Sequence, residues 1–315
     1  MSLSVPSRRR RFLIALLWLA AVPAGRAQWQ EWLETGRRWL EGQGDPDLTR
    51  ALRSLDMTAL EPALRDAFTR LQGEYVLDLE ALEGTARTVL PLLESHPDTR
   101  PYAAWLRSRV DYGEVARWLR EAVRVPAPPV PGPVPRPPPV PTPSQGRRAW
   151  ERSMERRPAP KGANVWVPRL KPVFRRSGLP EAWVWLAEIE SSFDPAARSP
   201  VGAVGLYQLM PRTAEGLGLR LQPRDERLDP DKNARAAATY LRQMHGQFKD
   251  WHLALAAYNA GPGRVSTLLK SRRAASYDAI APSLPAETQM YVPKFEAVLK
   301  RREGLSLGAL RPPSP

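Results

Sequence analysis

The 315-residue sequence contains no cysteine and only three histidines, His96, His245 and His252. Without cysteine the fold has no disulfide to stabilise it, so packing of the core must do so. The histidines show none of the spacings typical of metal ligands. The sequence therefore predicts neither a metal site nor a cofactor.

A hydrophobic run of membrane-spanning length is also missing near the N-terminus. The apolar run at residues 12–22 would form a helix of about 16 Å, against roughly 30 Å of bilayer hydrocarbon. Four arginines precede it, and Gly25-Arg26-Ala27 follows as a small-x-small cleavage site. This pattern predicts a secretory signal peptide at residues 1–27, with an uncleaved anchor as the alternative. We expect an exported protein of the periplasm or cell envelope.

Acidic residues are fewer than basic ones. The chain has 47 Lys and Arg against 33 Asp and Glu, a formal net charge of +14. The predicted signal peptide holds five arginines and no acid, so its removal would leave about +9. No nucleic-acid motif accompanies the charge, which favours an anionic envelope polymer as partner and argues against nucleic acid. A solvated basic surface without a partner is the alternative.

Proline is abundant and concentrated. Eleven of the 35 prolines lie in residues 126–143, where extended polyproline II is the expected conformation. With the basic, polar residues that follow, this stretch predicts a linker at residues 126–162. Before it, apolar residues recur at helical spacing and predict a helical N-terminal domain at residues 28–125. Its role stays open, and contact with an envelope protein through it or the linker is one hypothesis.

The stretch 178–211 carries the main candidate for catalysis. Its first part predicts a helix over residues 180–191, with Trp183, Leu186 and Glu190 on one face. Glu188 lies on the other side and is expected to face solvent. A carboxyl on an apolar face has a raised pKa, which suits a general acid. From position alone, Glu190 is equally well interpreted as a helix-end carboxylate paired with an arginine.

Three motifs, in order along the chain, resemble those of the lytic transglycosylases. They are Glu190-Ser191, Gly202-Ala203-x-Gly205-Leu206-Tyr207-Gln208-Leu209-Met210-Pro211, and Ala257-Tyr258-Asn259-Ala260-Gly261. Three motifs in the right order are far more specific than any one of them. The resemblance implies a lysozyme-like, mostly helical catalytic domain at residues 163–304, followed by a tail at residues 305–315, and says nothing about the first 150 residues. Together with the helical N-terminal domain predicted from periodicity, it makes the expected fold class all-α.

The resemblance also implies a reaction and a substrate. Lytic transglycosylases cleave peptidoglycan glycan strands between N-acetylmuramic acid and N-acetylglucosamine without consuming water, so they are lyases. On this mapping, Glu190 protonates the glycosidic oxygen and then deprotonates the muramoyl 6-hydroxyl, which closes a 1,6-anhydro ring.

Seven further residues match family positions that are expected to bind or border the substrate: Ser191, Tyr207, Gln208, Met210, Tyr258, Asn259 and Glu287. The resemblance implies that Gln208 bonds the saccharide and its acetamido groups, and that the Tyr258 hydroxyl lies near Glu190. Glu287 is expected to border the cleft, or else to be an acid favoured by a helix N-terminus.

Tyr207 stands where many members of the family have methionine. Together with Ser192-Phe193-Asp194-Pro195, it is similar to the membrane-bound D type, and we expect it to alter sugar stacking. Two other functions remain open. One is a hydrolytic muramidase in which Asp194 or Glu287 activates water; the other is a non-catalytic peptidoglycan-binding scaffold.

Overall fold

The computed structural model describes residues 66, 69–95, 97, 100–123 and 140–314. Over these residues the regular elements are helices, and the only β-type pairings are isolated bridges. The expected all-α class is therefore confirmed. The predicted signal peptide, residues 28–65 and most of the proline-rich stretch lie outside the described residues.

The helices are numbered here in chain order. Their bounds are α1 Leu82–Glu94, α2 Arg100–Arg107, α3 Asp111–Ala122, α4 Pro143–Met154, α5 Ala163–Arg176, α6 Leu186–Ser191, α7 Pro211–Gly216, α8 Pro230–Phe248, α9 Trp251–Ala260, α10 Pro262–Ser271, α11 Tyr277–Ile280 and α12 Ala286–Glu303. Short 3-10 turns lie at Val76–Ala81, Glu181–Trp185, Glu226–Leu228, Ala281–Ser283 and Leu307–Ala309.

Helices α8 and α9 each begin at an aspartate cap. One carboxylate oxygen of Asp229 accepts hydrogen bonds from the backbone N–H groups of residues 231 and 232, both at 3.0 Å. Asp250 accepts from the N–H of Leu253 at 2.8 Å. Such caps satisfy amide groups that have no partner inside the helix. Gly261, with φ of +87°, ends α9 in a conformation that suits glycine.

Helix α12 lies at the centre of the molecule and is buried along most of its length. Its Phe295 ring stacks on Trp183 with centroids 5.0 Å apart, and Trp251 of α9 lies 4.7 Å from Trp183 on another side. Aromatic pairs at these separations stabilise beyond the area they bury. This packing fixes α6, and with it Glu190, beside α12.

The N-terminal helices share this core. Their buried apolar residues belong to one cluster that continues into the rest of the described chain. Lys294 of α12 donates hydrogen bonds to the carbonyl of Ser108 at 2.6 Å and to Asp111 at 2.8 Å. Residues 69–123 thus bury their apolar faces against residues 140–314, which differs from the separate domain expected from sequence.

Helix α4 occupies residues that the sequence analysis assigns to the linker. Thr142 and Gln145 form a reciprocal capping box, and Pro143 takes the first helical turn. Trp150 is fully buried, with its ring edge-on to Tyr112 at 5.6 Å. The linker interpretation fails for this stretch because one large aromatic anchor and a capped start are enough to dock a short polar helix.

The tail also packs back on the molecule. Leu307 and Leu310 are buried, and the Leu310 carbonyl accepts a hydrogen bond from the Trp251 indole at 3.1 Å. The N–H of Ser314 donates to the carbonyl of Gly178 at 2.8 Å. Residues 305–314 are therefore part of the packed structure.

Candidate active site

The helix that carries Glu190 has two parts. A 3-10 turn at Glu181–Trp185 leads into α6, Leu186–Ser191. The helix ends because Ser192 and Phe193 adopt positive φ angles of 53° and 61°. Glu190 thus lies in the last turn of α6, and only 4% of its surface is exposed.

The expectation that Glu188 faces solvent is wrong. Glu188 is buried, and Arg302 of α12 donates to both of its carboxylate oxygens at 3.0 and 2.8 Å. Arg302 also donates to the carbonyls of Arg157 and Pro158. A buried ion pair and a solvated charge have the same sequence pattern, because periodicity does not reveal a partner that lies far along the chain.

Three groups surround the Glu190 side chain and its backbone. The Tyr291 hydroxyl donates a hydrogen bond to Glu190 Oε1, and Ser108 Oγ donates to the Glu190 carbonyl at 3.3 Å. Arg109 Nη2 lies 4.0 Å from Glu190 Oε2. Burial raises the pKa of Glu190 to about 7, against the opposing effects of Arg109 and the Tyr291 hydrogen bond. The carboxyl can therefore keep its proton close to neutral pH.

Arg109 joins Glu190 to Glu287. Its Nε donates to Glu287 Oε1 at 2.7 Å, while Nη1 donates to Ser108 Oγ at 2.9 Å and to the Trp105 carbonyl at 3.3 Å. The guanidinium also lies over the Trp105 ring, 4.7 Å from its centroid. Glu287 thus lies beside the candidate acid and is engaged by a buried arginine.

The turn after Glu190 depends on one glycine and two side chains. Gly205 has φ of +88°, and a Cβ there would lie 2.2 Å from the Arg227 carbonyl oxygen, so only glycine fits. Arg227 donates to the carbonyls of Gly202 and Leu209 at 2.8 and 2.9 Å. Asn233 of α8 accepts from the Tyr207 N–H at 2.8 Å. Residues 202–209 are thereby held in one conformation.

Two residues expected to contact substrate lie in the core instead. Ser191 is fully buried and donates to the Leu206 carbonyl at 2.8 Å. The Tyr207 ring is also fully buried, packs edge-on against Phe174 at 5.5 Å and donates to the Val184 carbonyl at 3.3 Å. The expected sugar stacking by Tyr207 is therefore not available. Both side chains instead hold the turn against α6 and the preceding 3-10 turn.

Gln208 and Met210 lie at the other side of the same turn. Gln208 has a positive φ of 45°, and its Nε2 donates to the carbonyls of Gly205 and Ala197 at 2.8 and 3.1 Å. Its Oε1 has no hydrogen-bond partner among the described residues. Met210 is 42% exposed, which is unusual for a large apolar side chain here.

Tyr258 and Asn259 connect this turn to α9 and α12. The Tyr258 hydroxyl donates to the Tyr207 carbonyl at 2.7 Å. Burial raises the pKa of Tyr258, and the charge of nearby Glu190 raises it further. Asn259 Oδ1 accepts from Thr288 at 2.6 Å. Tyr258 thus lies near the candidate acid, while Asn259 links two helices.

Asp194 has a local role. Its Oδ1 accepts a hydrogen bond from the N–H of Ala196 at 2.8 Å, as in a turn cap.

Over the described part of the chain, no group of three His, Asp or Glu side chains is placed to hold a metal ion.

Sequence reasoning missed three residues of the site. Tyr291 lies one turn after Glu287 on the last helix, and that spacing is a usable signal. Ser108 and Arg109 come from the connection between α2 and α3, far upstream of Glu190. No local pattern marks them.

These features define a class of site. An all-α domain presents a buried carboxyl whose pKa is about 7, with a tyrosine hydroxyl and an arginine beside it. A carboxyl of this kind is what general-acid cleavage of a glycosidic bond requires.

Comparison with known families agrees with that class. Residues 175–281 match the family model described as "Transglycosylase SLT domain". This match confirms the resemblance that the chain's motifs indicated. Glu190, Gln208 and Tyr258 lie inside the matched segment, whereas Arg109 and Tyr291 lie outside it.

Two curated relatives show the same similarity. The membrane-bound lytic murein transglycosylase D of Escherichia coli K12 is 38% identical over 129 residues, 39% of this chain and 28% of the relative. The soluble lytic murein transglycosylase of Salmonella typhimurium LT2 is 41% identical over 116 residues, 34% of this chain and 18% of the relative. The aligned region thus spans less than a third of either relative.

A solved structure is similar as well. It is that of an inactive variant of the lytic transglycosylase Slt from Pseudomonas aeruginosa, with 22% identity and a TM-score of 0.43. The alignment covers 96% of this chain and 52% of that chain.

Proposed function

We propose that this protein is a peptidoglycan lytic transglycosylase. It cleaves the β-1,4 bond between N-acetylmuramic acid and N-acetylglucosamine and leaves 1,6-anhydro-N-acetylmuramic acid ends. The observation that carries the proposal is the burial of Glu190, which raises its pKa to about 7. The match of the surrounding segment to the transglycosylase SLT domain supports the same reaction class.

The first step uses Glu190 as an acid. Its proton passes to the glycosidic oxygen as the bond from that oxygen to the muramoyl C1 breaks, and Glu190 becomes a carboxylate. Two groups favour this charged form: the Tyr291 hydroxyl, which donates to Oε1, and the Arg109 guanidinium, 4.0 Å from Oε2. The site can therefore hold the carboxylate that the step creates.

The second step uses the same carboxylate as a base. It removes the proton of the muramoyl 6-hydroxyl, whose oxygen bonds to C1 and closes the anhydro ring. Glu190 regains the proton it gave, and no water is consumed. One carboxyl with a pKa near neutrality serves both steps, because it exchanges its proton easily in either direction.

The environments of the other carboxylates favour this lyase over a muramidase. A hydrolase needs a second carboxylate to activate water or to attack the sugar. Asp194 is hydrogen-bonded within its own turn, and Glu287 accepts from Arg109 at 2.7 Å. Binding of the saccharide acetamido group by Gln208 is part of the same proposal and rests on the resemblance of its motif.

Digestion of purified murein followed by mass spectrometry of the products tests the proposal. We expect anhydro-muramic ends from the wild-type protein and no cleavage by Glu190→Gln, which should fold and still bind murein. Products with reducing-end muramic acid would identify a muramidase. Binding without cleavage by the wild-type protein would identify a non-catalytic scaffold.

Export to the periplasm or cell envelope belongs to the same proposal, because the substrate lies there. The N-terminal signal pattern supports it, and the relatives include one named membrane-bound and one named soluble. None of the helices that the structure describes is long and apolar enough to cross a bilayer. An envelope protein partner bound through the N-terminal residues or the proline-rich stretch is a further part of the proposal.

A further inference from the structure

Arg109 faces the candidate acid from outside the matched segment. Its Nε and Nη1 are engaged by Glu287, Ser108 and the Trp105 carbonyl, and its plane lies over the Trp105 ring. Nη2 points to Glu190 Oε2 at 4.0 Å, which is too long for a hydrogen bond. Both side chains are only 5% exposed. The guanidinium is thus held in place by other partners while it faces Glu190.

We propose that Arg109 and Glu287 are positioning residues that together set the protonation equilibrium of Glu190. Arg109 favours the carboxylate and Glu287 favours the acid, so the pair keeps both forms accessible. This inference rests on the proposed function, in which Glu190 must first give a proton and then take one.

The charges of the pair explain why both members are needed. An opposite charge within about 4–6 Å lowers a carboxyl pKa by roughly 1–3 units, and a like charge raises it. Arg109 alone, buried beside Glu190, would hold it as a carboxylate that cannot act as an acid at neutral pH. Glu287 alone would hold it protonated and make it a poor base. The salt bridge between them, at 2.7 Å, balances the two effects.

The other titratable groups near Glu190 are uncharged or paired. Burial raises the pKa values of Tyr291, Tyr258 and Tyr112 above the ordinary range, so these side chains stay neutral. Burial lowers the pKa of Lys294 to about 8, and its ammonium group is hydrogen-bonded to Asp111 at 2.8 Å. Among the charged groups, Arg109 and Glu287 have the largest effects on the pKa of Glu190, in opposite directions, and the charge of Lys294 adds a smaller lowering.

The test compares wild-type protein with Arg109→Gln, Glu287→Gln and the double variant. Carbon-13 NMR follows the Glu190 carboxyl through a pH titration, with Glu190→Gln used to assign its signal. In parallel, the pH dependence of murein turnover is measured. We expect Arg109→Gln to raise the titration midpoint by about one unit and Glu287→Gln to lower it by a similar amount. The double variant should titrate close to wild type.

Arg117→Gln is the matched control. Arg117 lies on α3, is 45% exposed and pairs with Glu83 at 3.0 Å, so its loss should leave the midpoint unchanged. Arg109→Lys keeps the charge and should shift the midpoint less than Arg109→Gln. If Arg109→Gln does not fold, Arg109→Lys and Glu287→Gln decide the matter.

Two results would overturn the assignment of the pair: an unchanged midpoint in Glu287→Gln, or shifts of the same sign in both single variants. A purely structural role would lower activity and stability without moving the midpoint. NMR reports the titration of Glu190 whether or not the protein cleaves murein. Opposite shifts of the midpoint in a protein that cleaves no murein would therefore refute the proposed function and leave the pair's effect intact. Cleavage of murein with no shift of the Glu190 midpoint in the variants would support the proposed function and refute the effect of the pair.

Discussion

The buried carboxyl of Glu190 makes the stability of the fold depend on pH. Its pKa is about 7 in the folded protein, against an ordinary value of 4.5. Between these pH values the folded state keeps a proton that the unfolded state has lost, so stability falls as pH rises through this window. Each unit of pKa shift is worth about 1.4 kcal/mol, so the full effect is about 3 kcal/mol.

Glu190→Gln should remove this pH-dependent loss, because glutamine has a similar shape and no charge. Relative to wild type, we expect little change in the free energy of unfolding at about pH 4 and a gain of about 3 kcal/mol at about pH 8. Urea unfolding at the two pH values measures both. The exposed Glu215→Gln is the control and should show no such gain. An equal effect of Glu190→Gln at both pH values would contradict the assigned pKa.

At the scale of elements, α4 shows how little sequence is needed to dock a helix. Most of its residues are polar, but Trp150 is fully buried beside Tyr112 and Lys294. Lys294 Nζ lies 5.1 Å from the Trp150 ring. The helix thus covers the buried face of α12 at Lys294. Lys294 donates to the carbonyl of Ser108, whose Oγ in turn accepts a hydrogen bond from Arg109.

Trp150→Ala should lower the free energy of unfolding by about 3–5 kcal/mol, the usual cost of emptying a buried aromatic site. Trp166→Ala is the matched control, because Trp166 is only half-buried and has Arg169 5.2 Å from its ring. We expect a clearly smaller loss there by urea unfolding. If both variants lost little stability, residues 143–154 would behave as the linker predicted from sequence.

At the scale of the whole molecule, most of the described helices share one hydrophobic core, and Leu209, Ala214, Leu219 and Ala236 form a small second cluster. The segment from α1 to α4, with its connections, supplies Ser108, Arg109 and Trp150 to the site or to its support. The packed unit around the proposed active site therefore extends well upstream of the segment that matches the transglycosylase SLT domain.

A chain beginning at residue 163 should therefore fail to fold cooperatively and should not cleave murein. Its exposed apolar faces would be those that α1 to α4 now cover, and Glu190 would lack Arg109. The control is a chain that lacks only residues 1–27. Circular dichroism melting and murein digestion compare the two. A sharp melt with full turnover by the shorter chain would show that residues 163–315 form an independent domain.

Several features followed from sequence alone, because their causes are local. Neighbouring residues determine the Asp229 and Asp250 caps, the turn at Gly261 and the helical class. Glu190 was identified by helical periodicity and by its motif, and the structure buries it as expected. Such signals can be read because each one acts within a turn or two of the chain.

What tertiary structure decided was which distant groups meet. Glu188 faces Arg302 and not solvent, and the Tyr207 ring fills the core and not the cleft. Arg109 reaches Glu190 from a segment with no motif of its own. The sequence by itself identifies Glu190 as the candidate acid. Its pKa depends on the packing of distant residues, because desolvation and charge pairing act through space.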